Sequence, residues 1–544
     1  MKSSLCFLLP VLFALLGSAP LTAQQDSVDD ELITVAEQSN YRETARSATV
    51  VRFLDRVSQR AKHIHKFTFG KTHKGQPMVG AVIASPPVTS PKQLKNDKRL
   101  VVLVIGNIHS GECCGQEALM RMLRELLGRP DHLWMRELVL LFVPNYNADG
   151  NDVRAKDNRP GQVGPVGGMG RRANAQGFDL NRDYVKLESP EARALITLMN
   201  QWDPACFIDC HTTNGSWHRY ALTYDVPHNP AADIELRKWM RGTMMPAVTR
   251  NLLKNNIDTF YYGNFDRKMS RWTTYGHEPR YGLDYFGLRG RLSILSEAYS
   301  YITFQERIEA THGLVTECLN ILAKNAKTVR TKLRAARRRV IAAGENPQPN
   351  DLVPIRAAIA RFPNKYIVKG FDPPWQPRIL RKDIVPGVRP TPPGKPKDYR
   401  VDFYGKFEAV RSVRRPYAYL VPKNLKTIVA KLRQHGIQIE KLKEGTRLTV
   451  EVYEWQAFRR AKMAFQNHRI AKAAVTSHKD RRKIPAGTFV VRTAQPLGTL
   501  LVYLLEPESD DGLVTWNYFD AYAKIGEEFP ILRVRNKVPL STRS

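Results

Sequence analysis

Short, continuous apolar runs are the feature that most constrains the fold of this chain. Residues 100–105 and 138–143 are apolar at every position. A strand has such a run when both of its faces are buried, as in a parallel sheet covered by helices. Between the two runs, residues 116–127 have helical spacing. This alternation predicts an α/β fold with a mixed central sheet flanked by helices.

Other segments of the N-terminal half extend the same pattern. Strands are expected at residues 67–69, 78–84, 205–209 and 292–296. Helices are expected at residues 41–61 and over a long, increasingly basic stretch at 306–339.

The C-terminal half has a different character. Residues 373–397 are rich in Pro and Gly, which is typical of a linker. Beyond them, strands are expected at residues 417–421, 447–453, 488–491 and 499–504, with a helix near 425–434. A chain of 544 residues also exceeds one ordinary core. We therefore expect an α/β domain (27–340), a Pro-rich linker region (341–400) and a smaller β-rich accessory domain (401–544).

The N-terminus resembles a secretory signal. Lys2 supplies a positive charge, residues 5–16 are mostly apolar, and Leu21-Thr22-Ala23 resembles a cleavage site. Cleavage after residue 23 predicts a secreted or periplasmic protein. The alternative is an uncleaved anchor, although the apolar run is short for a membrane span.

The chain is strongly basic, with 84 Lys and Arg against 52 Asp and Glu and a formal charge of +32. Basic surfaces attract nucleic acids, anionic membranes and acidic polymers. No nucleic-acid partner is expected, because the sequence shows no nucleic-acid-binding motif and no basic residues interleaved with aromatics. Solvated basic faces, or contact with an anionic cell envelope, remain as interpretations.

A first candidate metal motif directly follows the strand at 100–105. His109 and Glu112 are three residues apart, so a turn brings an imidazole and a carboxylate to one ion. The ends of strands in α/β sheets are where sites are built.

His211 is the best candidate for a third ligand, since it follows another predicted strand. Asp209 is placed to accept a hydrogen bond from its imidazole. Three protein ligands that leave a position for water are typical of a catalytic zinc site, with one ion per chain. The neighbouring thiols of Cys113, Cys114 and Cys210 are alternative ligands.

Taken together, the motifs resemble those of the zinc carboxypeptidase family over about residues 30–325. The resemblance rests on four elements in one order. They are H-x-x-E at 109–112, R-x-N-x-x-G-x-D-L-N-R at 172–182, D-x-H at 209–211, and Glu297 at the end of a late strand.

The resemblance implies a role for each matching residue. Glu297 acts as general base, and Arg172 stabilises the oxyanion. Asn181 and Arg182 bind the free α-carboxylate of the substrate, and Tyr275 closes over it.

Some of these positions have rivals. Arg171 competes for the oxyanion role, and Tyr281 and Tyr285 compete for that of the tyrosine. Asp183 stands where many members of the family carry asparagine, and it is expected to put a negative charge near the carboxylate-binding pair.

The expected function is hydrolysis of the C-terminal peptide bond of peptides or proteins, with a zinc-activated water and a glutamate base. Two alternatives use the same fold, namely a zinc-dependent deacylase and an amidase of peptidoglycan peptides. A third alternative is a non-catalytic protein that binds anionic polymers.

Overall fold

The structure is a computed structural model that describes residues 32–372, 385 and 387–543. The predicted signal segment, residues 1–23, lies outside the described residues. Residues 373–384 of the predicted linker also lie outside them. Within the described part, no helix combines the length and the apolar composition needed to cross a membrane.

The N-terminal half is built on a mixed, eight-stranded sheet with helices on both faces. In chain order its strands and those of a small neighbouring hairpin are β1 Ile64–Lys71, β2 Pro77–Ile83, β3 Leu100–Gly106, β4 Leu138–Val143, β5 Cys206–Thr213, β6 Leu222–Asp225, β7 Thr259–Tyr261, β8 Asn264–Phe265, β9 Arg271–Thr273 and β10 Leu292–Tyr299. The order across the large sheet is β1-β2-β4-β3-β5-β10-β6-β7.

The helices of this half cover the two faces of the sheet. They are α1 Val35–Gln38, α2 Ser47–Arg60, α3 Cys114–Glu125, α4 Leu133–Glu137, α5 Ala148–Asp152, α6 Pro190–Trp202, α7 Ile234–Trp239, α8 Met245–Lys254, α9 Gly282–Leu288, α10 Phe304–Lys324 and α11 Ala326–Glu345.

The centre of the sheet confirms the prediction drawn from the apolar runs. β3 is parallel to β4 and β5, and β5 is parallel to β10. Every residue of β3 and β4 is buried, as expected for strands covered on both faces.

The C-terminal half is dominated by antiparallel strands. They are β11 Leu352–Ala360, β12 Lys365–Asp372, β13 Lys395–Tyr404, β14 Lys406–Arg414, β15 Ala418–Val421, β16 Glu440–Leu442, β17 Thr446–Arg460, β18 Ala471–Ile484, β19 Phe489–Arg492, β20 Leu532–Val534 and β21 Thr542–Arg543. Seven of them form a separate sheet in the order β18-β17-β20-β15-β19-β16-β21. Two helices, α12 Lys426–Gln434 and α13 Gly498–Leu505, accompany this sheet.

One predicted strand is wrong. Residues 499–504 lie within helix α13, all eight residues of which are buried. A helix that is buried all round has no polar face, so its sequence is as continuously apolar as that of a buried strand.

The predicted linker also needs correction where it is described. Residues 352–360 and 365–372 form β11 and β12, and the end of β13 pairs in parallel with β9 of the N-terminal half. β11 is half-exposed and contains Pro354 at a register shift, so its strand pattern is weak in the sequence.

Two predicted helices have different bounds. The stretch at 306–339 forms two helices, α10 and α11, which meet at Asn325. α2 begins at Ser47 rather than at Tyr41, because Thr44 and the backbone of Ala45 instead donate hydrogen bonds to the Glu117 carboxylate.

The two halves share one hydrophobic core. A single cluster of buried residues joins Trp202 and Phe286 beneath the large sheet to Tyr419, Trp455 and Trp516 of the C-terminal half. The C-terminal sheet is therefore separate in its hydrogen bonding, but its apolar packing is continuous with that of the N-terminal half.

Candidate zinc site

The register of three parallel strands brings the predicted ligands and base together. His109 and Glu112 follow β3, whose last residue Gly106 pairs with Cys210 of β5. His211 is the next residue of β5, and it pairs with Glu297 of β10. The carboxyl ends of these strands therefore form one edge, where a site is expected in an α/β sheet.

A buried amide network shapes the loop after β3. Asn107 has a φ of 61°, and its Nδ2 donates to Oδ1 of Asn145 at 3.0 Å and of Asn151 at 3.1 Å. Gly111 has a φ of 96°, and a Cβ there would lie 2.8 Å from the carbonyl oxygen of Gly170. The sharp turn between His109 and Glu112 thus depends on a position that favours glycine.

The three predicted ligands meet in the buried interior of this edge. Nδ1 of His211 lies 2.9 Å from Oε2 of Glu112, and Nδ1 of His109 lies 3.2 Å from Oε1. The two Nδ1 atoms are 3.1 Å apart. Among the described residues, these three form the one group of His, Cys, Asp or Glu side chains placed to hold a metal ion.

Two further carboxylates decide which nitrogens face the centre. Nε2 of His109 lies 2.8 Å from Oδ1 of Asp179, and Nε2 of His211 lies 3.0 Å from Oδ2 of Asp209. Since an ionised carboxylate only accepts, each Nε2 carries a hydrogen and each Nδ1 faces Glu112, where a neutral ring presents a lone pair. Acceptor atoms that converge in this way fit a cation, and this donor set fits zinc.

The cysteine side chains that were alternative metal ligands lie outside the group formed by the three ligands. Cys113, Cys114 and Cys210 are free and buried. Burial raises the pKa of Cys113 to about 12 and also raises the pKa of Cys210, which disfavours the thiolate that binds a metal. Sγ of Cys114 instead lies 3.1 Å from the Thr212 hydroxyl.

An arginine that the sequence did not indicate contacts the ligand carboxylate. Nη2 of Arg159 donates to Oε1 of Glu112 at 2.6 Å, and Nη1 of Arg172 lies 3.4 Å from the same oxygen. Burial would raise the pKa of Glu112, but His109 and Arg159 hold it well below its ordinary value. The carboxylate therefore stays ionised.

The ligands open onto a small polar cavity of about 200 Å³. Its wall contains all the other predicted site residues, Arg172, Asn181, Arg182, Tyr275 and Glu297, together with Arg159, Tyr262 and Tyr281.

Glu297 presents a free carboxylate to this cavity. Among the described residues its carboxylate has no partner in a hydrogen bond or ion pair. Burial raises its pKa above the ordinary value, although the protonated form of His211 and the guanidinium of Arg172 act in the opposite direction.

Arg172, rather than Arg171, lines the cavity. Its Nε and Nη2 donate to Oδ2 of Asp179 at 3.1 and 2.9 Å, while Arg171 is exposed to solvent. Asp179 therefore orients both His109 and Arg172. It lies inside the quoted motif at 172–182, but no role was predicted for it.

Asn181 and Arg182 lie side by side on the cavity wall. The backbone N–H of Gly282 donates to Oδ1 of Asn181 at 2.9 Å, which fixes the amide. The guanidinium of Arg182 lies 4.4 Å from the ring centroid of Tyr281, and its Nη1 donates to the carbonyl of Asn181 at 2.8 Å.

The three candidate tyrosines have different environments. Tyr275 and Tyr281 both line the cavity, with ring centroids 5.3 Å apart. The Tyr275 hydroxyl has no hydrogen-bond partner among the described residues. Tyr285 is fully buried, and its hydroxyl lies 2.7 Å from Nδ1 of His435, so it serves the core.

Asp183 does not place a negative charge beside the carboxylate-binding pair, contrary to the expectation from the sequence. It is fully buried, away from the cavity wall, and accepts a hydrogen bond from Nζ of Lys186 at 2.7 Å. The backbone N–H of Ser189 donates to it at 2.8 Å. Its charge is thus compensated within the fold by Lys186.

The sequence of the N-terminal half matches a known family. Residues 50–274 match the family described as zinc carboxypeptidase, peptidase M14. Residues 50–274 therefore belong to the zinc carboxypeptidase family. This family assignment implies a hydrolase with zinc as its metal and peptides as its substrates. The matched segment ends before Tyr275 and Glu297, so these two residues are site candidates because of their position in the cavity.

Curated relatives and solved structures carry names of the same family. The chain is 21% identical to Carboxypeptidase 2 of Trichophyton tonsurans over 468 residues, which cover 80% of this chain and 77% of that protein. It is 30% identical to human Carboxypeptidase Z over 149 residues, which cover 26% and 22% respectively. A metallo-carboxypeptidase structure from Pseudomonas aeruginosa aligns at 17% identity and a TM-score of 0.39, covering 52% of this chain and 70% of that one.

The orientation of His109 by Asp179 predicts an effect on zinc affinity. Asp179→Asn should weaken zinc binding by roughly ten- to hundredfold, because the hydrogen bond that fixes the imidazole loses its charged acceptor. Competition with a chromogenic chelator measures the change. Asp372→Asn, at the exposed end of β12, is the matched control. Equal zinc affinity in the wild type and Asp179→Asn would contradict the orienting role.

Proposed function

We propose that this protein is a metallocarboxypeptidase that hydrolyses the C-terminal peptide bond of peptides or proteins. One observation carries the proposal. A single cavity is lined by His109 and Glu112 of the metal-binding group, by the free carboxylate of Glu297 and by the guanidinium of Arg182. His211 completes the metal-binding group beside them. A base beside a metal site supports hydrolysis, and a fixed cation nearby supports recognition of a chain end.

The residues of the cavity divide the chemistry among them. Zinc held by His109, Glu112 and His211 supplies Lewis acidity, which acidifies water and polarises the scissile carbonyl. Glu297 accepts the proton of the attacking water as its oxygen bonds to the carbonyl carbon. The same carboxyl group returns that proton to the amine when the C–N bond breaks. Arg172, held by Asp179, stabilises the negative charge that develops on the carbonyl oxygen.

Arg182 and Asn181 explain the preference for a chain end. A guanidinium binds a carboxylate through two parallel hydrogen bonds, and the fixed amide of Asn181 adds a donor. The ring of Tyr281 packs against the guanidinium of Arg182. Tyr275 supplies an unpartnered hydroxyl that a bound substrate can satisfy. A substrate without a free α-carboxylate would not supply Arg182 with the partner for these two parallel hydrogen bonds.

The role of Glu297 as general base can be tested by substitution. Glu297→Gln should lower kcat by about 10²–10⁴-fold, because the amide cannot accept the proton of water. Zinc content should remain near one per chain, since Glu297 is not a ligand in this arrangement. Hydrolysis of a peptide with a free C-terminus, with metal analysis in parallel, measures both. Glu408→Gln on exposed β14 is the control, and a Glu297→Gln variant with full activity and bound zinc would exclude this mechanism.

Recognition of the free C-terminus of the substrate can be tested with amidated peptides. The wild type should cleave a peptide with a free C-terminus and leave its C-terminally amidated form intact. Arg182→Ala should raise KM for the free peptide by about tenfold or more, because a charge-assisted hydrogen bond is lost. Arg171→Ala, at an exposed position next to Arg172, should behave as the wild type. Equal cleavage of amidated and free peptides would instead favour the deacylase or amidase alternatives.

We also propose that the chain is exported and that residues 1–23 are removed as a signal. The sequence pattern of this segment supports export. Exposed basic side chains of α11, among them Lys327, Arg334 and Arg338, support contact with an anionic envelope. Protein recovered outside the cytoplasm should begin at Gln24, and high salt should release it from envelope material. A cytoplasmic protein that retains Met1 would contradict the proposal.

A further inference from the structure

The longest hairpin of the C-terminal sheet reaches the zinc site. β17 and β18 pair along their whole length, and the tip between them contains Gln466 and Asn467. These two residues have φ values of 51° and 63°, as in a tight two-residue turn. Oε1 of Gln466 accepts a hydrogen bond of 2.9 Å from the backbone N–H of Asp179.

The contact with Asp179 places Gln466 next to the groups that orient the site. The Asp179 carboxylate accepts from Nε2 of His109 at 2.8 Å and from Nη2 of Arg172 at 2.9 Å. The position of its backbone therefore sets the position of a metal ligand and of the oxyanion-stabilising arginine. Gln466 is the residue of the C-terminal half that fixes the backbone of Asp179.

Neighbouring residues of the tip hold Gln466 in place. Nε2 of His468 lies 2.8 Å from Oε1 of Glu188 in the N-terminal half. Phe465 stacks on Trp516 with ring centroids 6.3 Å apart. The guanidinium of Arg280 lies over both rings. The tip therefore packs against the N-terminal half through several contacts, and the hydrogen bond of Gln466 is one of them.

The same region also holds the segment that carries the cavity tyrosines. Nη2 of Arg280 donates to Oδ1 of Asp511 at 2.8 Å, and its backbone N–H donates to Oδ2 at 2.6 Å. Three residues before it, Nε2 of His277 lies 2.9 Å from Oδ2 of Asp510. Asp511 is fully buried, so the Arg280 pair is shielded from water. The segment between Tyr275 and Tyr281 is therefore fixed from the C-terminal half.

We propose that the C-terminal half is part of the substrate site, with Gln466 and Asp511 as positioning residues. Gln466 acts through Asp179 on His109 and Arg172. Asp511 acts through Arg280 on the segment that places Tyr281 beneath Arg182. The inference rests on the proposed carboxypeptidase function for its kinetic consequences, but its consequence for zinc affinity is independent of activity. The two residues act on different properties, since one positions the reaction centre and the other the carboxylate-binding pair.

The first test removes the acceptor of Gln466. Gln466→Met keeps the size of the side chain, and we expect roughly tenfold lower kcat, little change in KM and severalfold weaker zinc binding by chelator competition. Gln466→Glu retains an acceptor oxygen and should recover most of both losses. Gln456→Met, at an exposed position of the same hairpin, should leave kcat, KM and zinc affinity unchanged.

The second test removes the charge of Asp511. Asp511→Asn keeps the shape of the side chain, and we expect a severalfold higher KM for peptides with a free C-terminus, with kcat and zinc affinity unchanged. Arg280→Lys retains a cation and should give a smaller rise in KM. The thermal unfolding midpoint of each variant is measured alongside.

Each outcome has one meaning. Wild-type zinc affinity and kcat in Gln466→Met would overturn the role of Gln466. The activity of both variants could instead fall only in proportion to the fraction of folded protein. If kcat and KM did not change separately in the two variants, positioning by both residues would be overturned. An inactive wild type whose zinc binding still weakens in Gln466→Met would refute the proposed function and leave the positioning by Gln466 intact.

Discussion

The hydrogen bonds from His109 to Asp179 and from His211 to Asp209 turn both Nδ1 atoms toward the carboxylate of Glu112. A zinc ion among these converging atoms would satisfy them in a buried space where water screens charges poorly. The register of β3 with β5 keeps them there. The free energy of zinc binding is thus available to the folded state alone, and the metal is expected to stabilise the protein as well as to serve its chemistry.

Buried charges near the cavity are compensated in pairs. Asp183 is neutralised by Lys186, whose ammonium group also lies 5.0 Å from the ring centroid of Trp516. Asp511 is paired with Arg280. A buried charge that loses its partner costs several kcal/mol, so these pairs specify how the C-terminal half docks. The cavity itself retains uncompensated groups, and the free carboxylate of Glu297 is the clearest case.

The parts of the site that could be predicted lie in short motifs at strand ends. His109, Glu112 and His211 are of this kind, because a buried parallel strand is recognisable and its end is a favoured position for a ligand. Arg159 and Gln466 could not be found this way. Their contacts with the site span 47 and 287 positions of the chain, and no local pattern records them. Helix α13 was predicted as a strand for another reason. A fully buried segment has no hydrophobic periodicity that distinguishes a helix from a strand.

The segment that matches the family, residues 50–274, is smaller than the unit that makes the site. Glu297 lies beyond it on β10, and Gln466 lies at the tip of the β17–β18 hairpin, which forms no part of it. The apolar face formed by Trp202 and Phe286 is covered by the core of the C-terminal half. Removing that half would expose a large apolar patch and would also release Asp179 from its contact with Gln466. Stability and site geometry are therefore expected to depend on the same interface.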